Sequence, residues 1–172
     1  MRSSVAALLA VAKDGDSTVR YCAVHSLGQI GEPAKRAAPV LVEALKDEDA
    51  EVRRTTIWAL PRLKLDARAT VKLLEPMLDD GSAYVRLETA AALWEIVRDR
   101  RAVTVLIREL ESRDSIVRFL ALDGLTKVGK DAKGAVPRLV EMLKDEDDLV
   151  AKSAREALKR IDPVTAAKQG IH

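Results

Sequence analysis

Residues 16–31 read DSTVRYCAVHSLGQIG, and this stretch recurs along the chain. Its Val19-Arg20 pair returns as Val52-Arg53, Val85-Arg86 and Val117-Arg118, at spacings of 33, 33 and 32 residues. A further 33 residues reach Val150, which is followed by Ala151 in place of Arg. Three positions before each Val stands Asp16, Asp49, Ser82, Asp114 or Asp147. Eight positions after it stands Leu27, Leu60, Leu93, Leu125 or Leu158, and eleven after it Ile30, Leu63, Ile96, Val128 or Ile161. Self-similarity at such a period is the signature of a repeat architecture, in which one supersecondary unit is copied and stacked.

Each unit reads as two helices. The second begins after an Asp or Ser, both good N-caps, and carries apolar or small residues at offsets 0, 4, 7, 8 and 11 from the Val, which is helical periodicity. Gly31 and Gly129 stand where two of these helices should stop. The first helix supplies the other apolar face, as in residues 37–47 (AAPVLVEALKD) and 135–145 (AVPRLVEMLKD), with Pro39 and Pro137 in first turns, where a missing N–H costs little. Pro61 replaces the helix-ending Gly in the second unit and should kink its last turn. The N-terminus falls in register too: Leu8 aligns with Leu41, and Lys13-Asp14 with Lys46-Asp47. Residues 3–13 therefore read as the first helix of unit one, although Met1 to Ala12 also mimics a very short signal peptide ending in Ala10-Val11-Ala12. The expected boundaries are a single domain over residues 1–162, with units at 1–31, 32–65, 66–98, 99–129 and 130–162, and a tail at 163–172.

Composition narrows the class. Of 172 residues, 48% are hydrophobic but only 3% aromatic, so the core must be aliphatic. Basic and acidic residues number 29 and 27, and a net charge of +2 argues against a dedicated nucleic-acid binder. The one cysteine, Cys22, excludes an internal disulfide, and two histidines, His25 and His172, leave little for a metal cluster. No apolar run approaches the roughly 20 residues that span a bilayer, and the expected location is the cytoplasm.

The motif Asp-x-x-Val-Arg, then Ala-x-x-x-Leu-Gly-x-Ile-Gly, resembles the HEAT repeat family, in particular its bacterial lyase-like type. Unit one carries it as Asp16, Val19, Arg20, Ala23, Leu27, Gly28, Ile30 and Gly31. The resemblance implies an all-α solenoid, a right-handed superhelix of about five helix pairs, with second helices lining a concave surface. It also implies a structural Asp/Arg ladder, here Asp16, Arg20, Asp49, Arg53, Arg86, Asp114, Arg118 and Asp147. Ser82 and Ala151 depart from that pattern.

No constellation of catalytic residues is present, no metal site and no cofactor site is expected, and Cys22 with His25 lacks an orienting carboxylate. At about 100° per residue, offsets 2, 5, 6 and 9 should point away from the core. The resulting candidate surface for a protein or peptide is Tyr21, His25, Arg54, Ile57, Trp58, Leu87, Trp94, Phe119 and Leu122, with a basic end at Lys152, Arg155 and Lys159. Four of the five aromatics fall on these offsets, and Tyr and Trp suit interfaces. The expected function is therefore a non-catalytic scaffold that holds a protein or peptide partner in its groove. The alternatives are a HEAT-like subunit of a bilin-lyase-type enzyme and a DNA-binding HEAT-like repair protein. Residues 5–12 (VAALLAVA) are apolar all round, which would suit self-association through that helix.

Overall fold

The computed structural model describes residues 2–171, with side chains from Ser4 onward; His172 lies outside. Among these residues are eleven α-helices, four short 3-10 helices and no strand. The first helices are α1 (Arg2–Val11), α3 (Ala38–Ala44), α5 (Ala67–Leu74), α7 (Arg100–Glu109) and α9 (Val136–Met142). The second helices are α2 (Ser17–Ile30), α4 (Ala50–Ala59), α6 (Ala83–Val97), α8 (Ser115–Val128) and α10 (Asp148–Ile161), and α11 (Pro163–Lys168) follows. The chain divides into two compact units, residues 1–97 with α1 to α6 and residues 98–172 with α7 to α11. In the first, α2 packs on α4 and α4 on α6; in the second, α8 packs on α10, and α11 closes over the end of α10.

The helices start and stop where the side chains dictate. Asp16, Asp49, Asp114 and Asp147 each accept a hydrogen bond from a first-turn N–H, at 2.7 Å from Thr18, 2.7 Å from Glu51, 2.8 Å from Ile116 and 2.9 Å from Leu149. Gly31 and Gly129 end α2 and α8 at φ +67° and +69°, which a Cβ would disfavour. Where the repeat lacks that Gly, Lys64 and Arg98 take positive φ themselves. Pro61 acts as expected: α4 ends at Ala59 and tightens into a 3-10 helix over Leu60–Leu63.

The core follows the register. Leu27, Leu60, Leu93, Leu125 and Leu158 are all fully buried, each contributing about 1.5–3 kcal/mol relative to an exposed side chain. Thr56 and Thr89 occupy offset four with no exposure, because their hydroxyls donate back to the carbonyls of Val52 and Val85 at 2.7 and 2.8 Å. Val19 departs from its equivalents: it is 36% exposed, whereas Val52, Val85, Val117 and Val150 are buried. Among the described residues, α2 has a neighbouring second helix, α4, on one side only. Helix α1 buries Val5 but leaves Leu8 and Leu9 half-exposed and Val11 40% exposed.

The Asp/Arg ladder is built differently from expectation. Arg20 donates from Nε and Nη2 to both carboxylate oxygens of Asp47 at 2.7 Å, Arg53 to Asp80 at 2.8 Å, and Arg118 to Asp145 at 3.0 and 2.8 Å. Each Arg thus reaches 27 residues onward into the next repeat. Its Nη1 meanwhile holds two carbonyls of its own inter-helix turn: Asp14 and Gly15, Asp47 and Glu48, or Ser112 and Arg113. Arg86 makes the same turn contacts with Asp80 and Gly81. Asp16, Asp49, Asp114 and Asp147 are caps, not the ladder carboxylates; that role belongs to the Asp five positions before the Val. The physical reason is that each cap is committed to the N–H groups of its own helix start. The Arg20 guanidinium holds the Asp47 carboxyl below its ordinary value. Burial acts most strongly on Asp80 and Asp145 and would raise both, but the hydrogen bonds from Arg53 or Arg118, a backbone N–H and the charge of nearby arginines together outweigh it and leave both lowered.

Candidate functional site

The candidate residues separate by offset. Offset five lies about 140° round the helix from the Val and offset nine about 180°, on the flank that neighbouring second helices share. Val24, Ile57, Ala90 and Leu122, all at offset five, are completely buried. Ile57 and Leu122 therefore belong to the helix–helix packing and do not face solvent as expected. Leu87 and Trp94, each 6% exposed, are likewise buried and correct the same expectation. Arg155 shows the rule from the other side: no second helix follows α10 among the described residues, and its offset-five residue is charged and exposed.

The open face is carried by offsets −1, 2, 3 and 6, at about 200–300°, with Thr55 and Leu87 the buried exceptions. In the first unit it holds an aromatic stack. The Tyr21 and His25 rings lie 6.0 Å apart with an interplanar angle of 12°, and His25 and Trp58 5.0 Å apart at 15°. Arg62 places its guanidinium 3.9 Å from the Trp58 ring centre and donates to the Trp58 carbonyl at 2.6 Å. Gly28 makes this possible, since a Cβ there would meet the Trp58 ring at 2.6 Å and the Ala59 Cβ at 2.8 Å. Trp58 is consequently half-buried between α2 and α4 rather than standing free. Arg54 is held by Glu51 at 2.7 Å and approaches Glu88 at 3.9 Å; its hydrogen bond to Glu51 raises its pKa above the ordinary value. A depression of about 280 Å³ between α2 and α4 is lined by Ser17, Thr18, Tyr21, Asp49 and Glu51.

In the second unit, α8 and α10 enclose a second depression of about 230 Å³, which brings together Phe119 and Lys152 with Asp123, Leu149 and Glu156. Lys159 lies one turn further along and reaches Glu156 at 3.6 Å. Offset −1 was missed by the sequence reading, yet it supplies Thr18 and Glu51 to the first depression and Leu149 to the second. The signal was available: Ile116 and Leu149 are aliphatic immediately before a core Val, a place where a helix turns away from its core. They stand 58% and 56% exposed. Cys22 is exposed, and His25 is engaged in the stack. Among the described residues no three His, Cys, Asp or Glu side chains come together as metal ligands, and no helix is long and apolar enough to cross a membrane.

Comparison with known proteins gives the fold context. An engineered protein is 26% identical over 96% of this chain and 84% of its own, with a TM-score of 0.63. A chain in the structure of the complex of CpcE and CpcF of phycocyanin lyase from Nostoc sp. is 24% identical, covering 94% of this chain and 66% of that one, with a TM-score of 0.65. A designed armadillo repeat protein in complex with the peptide (KR)4 is 20% identical, covering 90% and 80%, with a TM-score of 0.64. No curated protein sequence matches the chain. The HEAT-repeat profile matches residues 1–61 and 70–159. With its recurring helix pairs, capped second helices and repeat-to-repeat arginines, the chain belongs to the HEAT-repeat family.

Proposed function

We propose that this protein is a non-catalytic binding scaffold that holds a protein or peptide on the open face of its second helices. The observation that carries the reading is the concentration, within each unit, of half-exposed rings and exposed aliphatics on the open face of its second helices. Tyr21 and Trp58 lie there in the first unit, and Phe119, Ile116 and Leu149 in the second. Each unit adds a depression between adjacent second helices, at the helix starts in the first unit and further along α8 and α10 in the second. Rings and aliphatics of this kind are the anchors that dominate interface energy when a partner covers them. The likeness to a designed protein in complex with a peptide, and to one chain of a lyase complex, fits a fold whose surfaces are used for holding partners. A lyase component would retain an absorbing ligand on purification, which the scaffold reading does not expect.

The test is capture followed by mass spectrometry with three forms of the full chain. These are the wild type, an open-face variant (Tyr21→Ser, Arg54→Glu, Leu149→Ser) and a first-helix variant (Glu43→Lys, Lys72→Glu, Glu141→Lys). Partners lost only by the open-face variant support the proposal. Partners lost only by the first-helix variant overturn it.

A further inference from the structure

The α8–α10 depression points to the chemistry of the partner, and this inference rests on the scaffold reading above. Its apolar part is made by Phe119 of α8 and by Leu149 of α10, with exposed Ile116 and Leu120 on the adjoining surface of α8. The aliphatic character is specific to this place. At offset −1 the first three repeats carry Thr18, Glu51 and Tyr84, whereas the last two carry Ile116 and Leu149.

Its charges are unequally satisfied. Asp123 is neutralised by Lys127 of its own helix at 2.7 Å, and Glu156 by Lys159 at 3.6 Å. Lys152 lines the same depression, is exposed, and forms no ion pair among the described residues. Arg155, three residues further along α10, is exposed as well. What the surface lacks is therefore a bulky apolar group for Phe119 and Leu149 and a carboxylate for Lys152, close to one another.

We infer that the groove between α8 and α10 binds a short peptide segment of a partner protein, in which a large apolar side chain is followed closely by acidic residues. The apolar side chain enters beside Phe119 and Leu149, and the carboxylates meet Lys152. Complementary charge at such a rim acts on encounter and on choice of partner, while the apolar anchor acts on residence time.

The experiment uses three fluorescein-labelled Gly/Ser peptides and anisotropy titrations of the full chain. One peptide carries a central Leu-Phe-Glu-Glu, the second Leu-Phe-Lys-Lys, and the third Ser-Ser-Glu-Glu. Two variants at exposed positions accompany the wild type, Lys152→Glu and Leu149→Ser, with circular dichroism verifying their fold. The wild type is expected to bind the first peptide at least about tenfold more tightly than either other peptide, and more tightly at low salt. Lys152→Glu is expected to invert the preference between Glu-Glu and Lys-Lys. Leu149→Ser is expected to weaken the first peptide without inverting that preference. Absence of binding to any peptide, or binding that neither charge nor Lys152→Glu alters, overturns the inference. If partners are nevertheless lost by the open-face variant in the capture experiment, the scaffold reading survives and only this assignment falls.

Discussion

Arg53 and Asp80 form a two-point ion pair, with Nε and Nη2 each 2.8 Å from a carboxylate oxygen, across 27 residues of chain. Their side chains are 16% and 8% exposed, so the pair is largely withdrawn from water. The same guanidinium pins the carbonyls of Asp47 and Glu48, and Asp80 also accepts from the Ser82 N–H at 2.8 Å. One contact therefore fixes two successive inter-helix turns. Arg53→Ala and Asp80→Ala should each destabilise the protein by about 1.5–3 kcal/mol, the range for hydrogen bonds to charged groups. The double variant should cost clearly less than the sum, because the two share one interaction. Urea unfolding of the four proteins checks this; strict additivity would contradict it.

The ladder also sets an acid limit. Asp47, Asp80 and Asp145 have folded-state pKa values below the ordinary 3.8. A carboxyl held lower in the folded state binds fewer protons there than in the unfolded chain, so its contribution is fully present above the unfolded value. It drains away as the pH falls from about 5 through the lowered folded values. Thermal midpoints should be flat near neutrality and decline below about pH 5, less steeply once Asp80→Ala removes one pair. A protein whose stability rises on acidification contradicts the assignment.

Close approach of α2 and α4 rests on Gly28. Ala in its place would bring a methyl against the Trp58 ring at 2.6 Å and the Ala59 Cβ at 2.8 Å, neither of which can move away freely. Overpacking of this kind costs about 1–3 kcal/mol, more than the ~1 kcal/mol that Ala gains over Gly inside a helix. Gly124 is the comparison, because its Cβ would meet Cδ2, Cδ1 and Cγ of the buried Leu106 at 2.7, 3.2 and 3.5 Å, one side chain and no backbone. Gly28→Ala should lower the denaturation midpoint and shift Trp58 fluorescence; Gly124→Ala should lower it less, since one side chain and no backbone has to give.

The register itself is tested by leucines. Leu60→Ala and Leu93→Ala remove fully buried side chains and should cost about 2–5 kcal/mol each. Leu149→Ala removes a 56% exposed one and should stay within about 0.5 kcal/mol.

The helix pairs, the caps at Asp16 and Gly31, and the buried leucines were legible because each follows from short-range periodicity. The flank positions were not. Ile57 and Leu122 look outward when one helix is considered alone, yet both are completely buried once α4 and α8 pack against neighbouring helices. The ladder carboxylates were missed for a related reason. Asp47 and Asp145 stand in the Lys-Asp pair that aligned the repeats, and Asp80 in the equivalent place, but Asp16 and its equivalents stand nearer the Arg in sequence. In space, the capping bonds of those nearer carboxylates leave the arginine to reach forward instead. The stack of Tyr21, His25 and Trp58 joins two helices and could not be read from either one.

The central claim is that partners are held on the open face of the second helices. Hydroxyl-radical footprinting of a captured complex reads it directly, since aromatic rings report their own exposure. Oxidation of Tyr21 and Phe119 should fall on binding, while that of Met77, in the 3-10 helix that follows α5, should stay constant. Unchanged oxidation of both rings together with protection of Met77 would contradict the account.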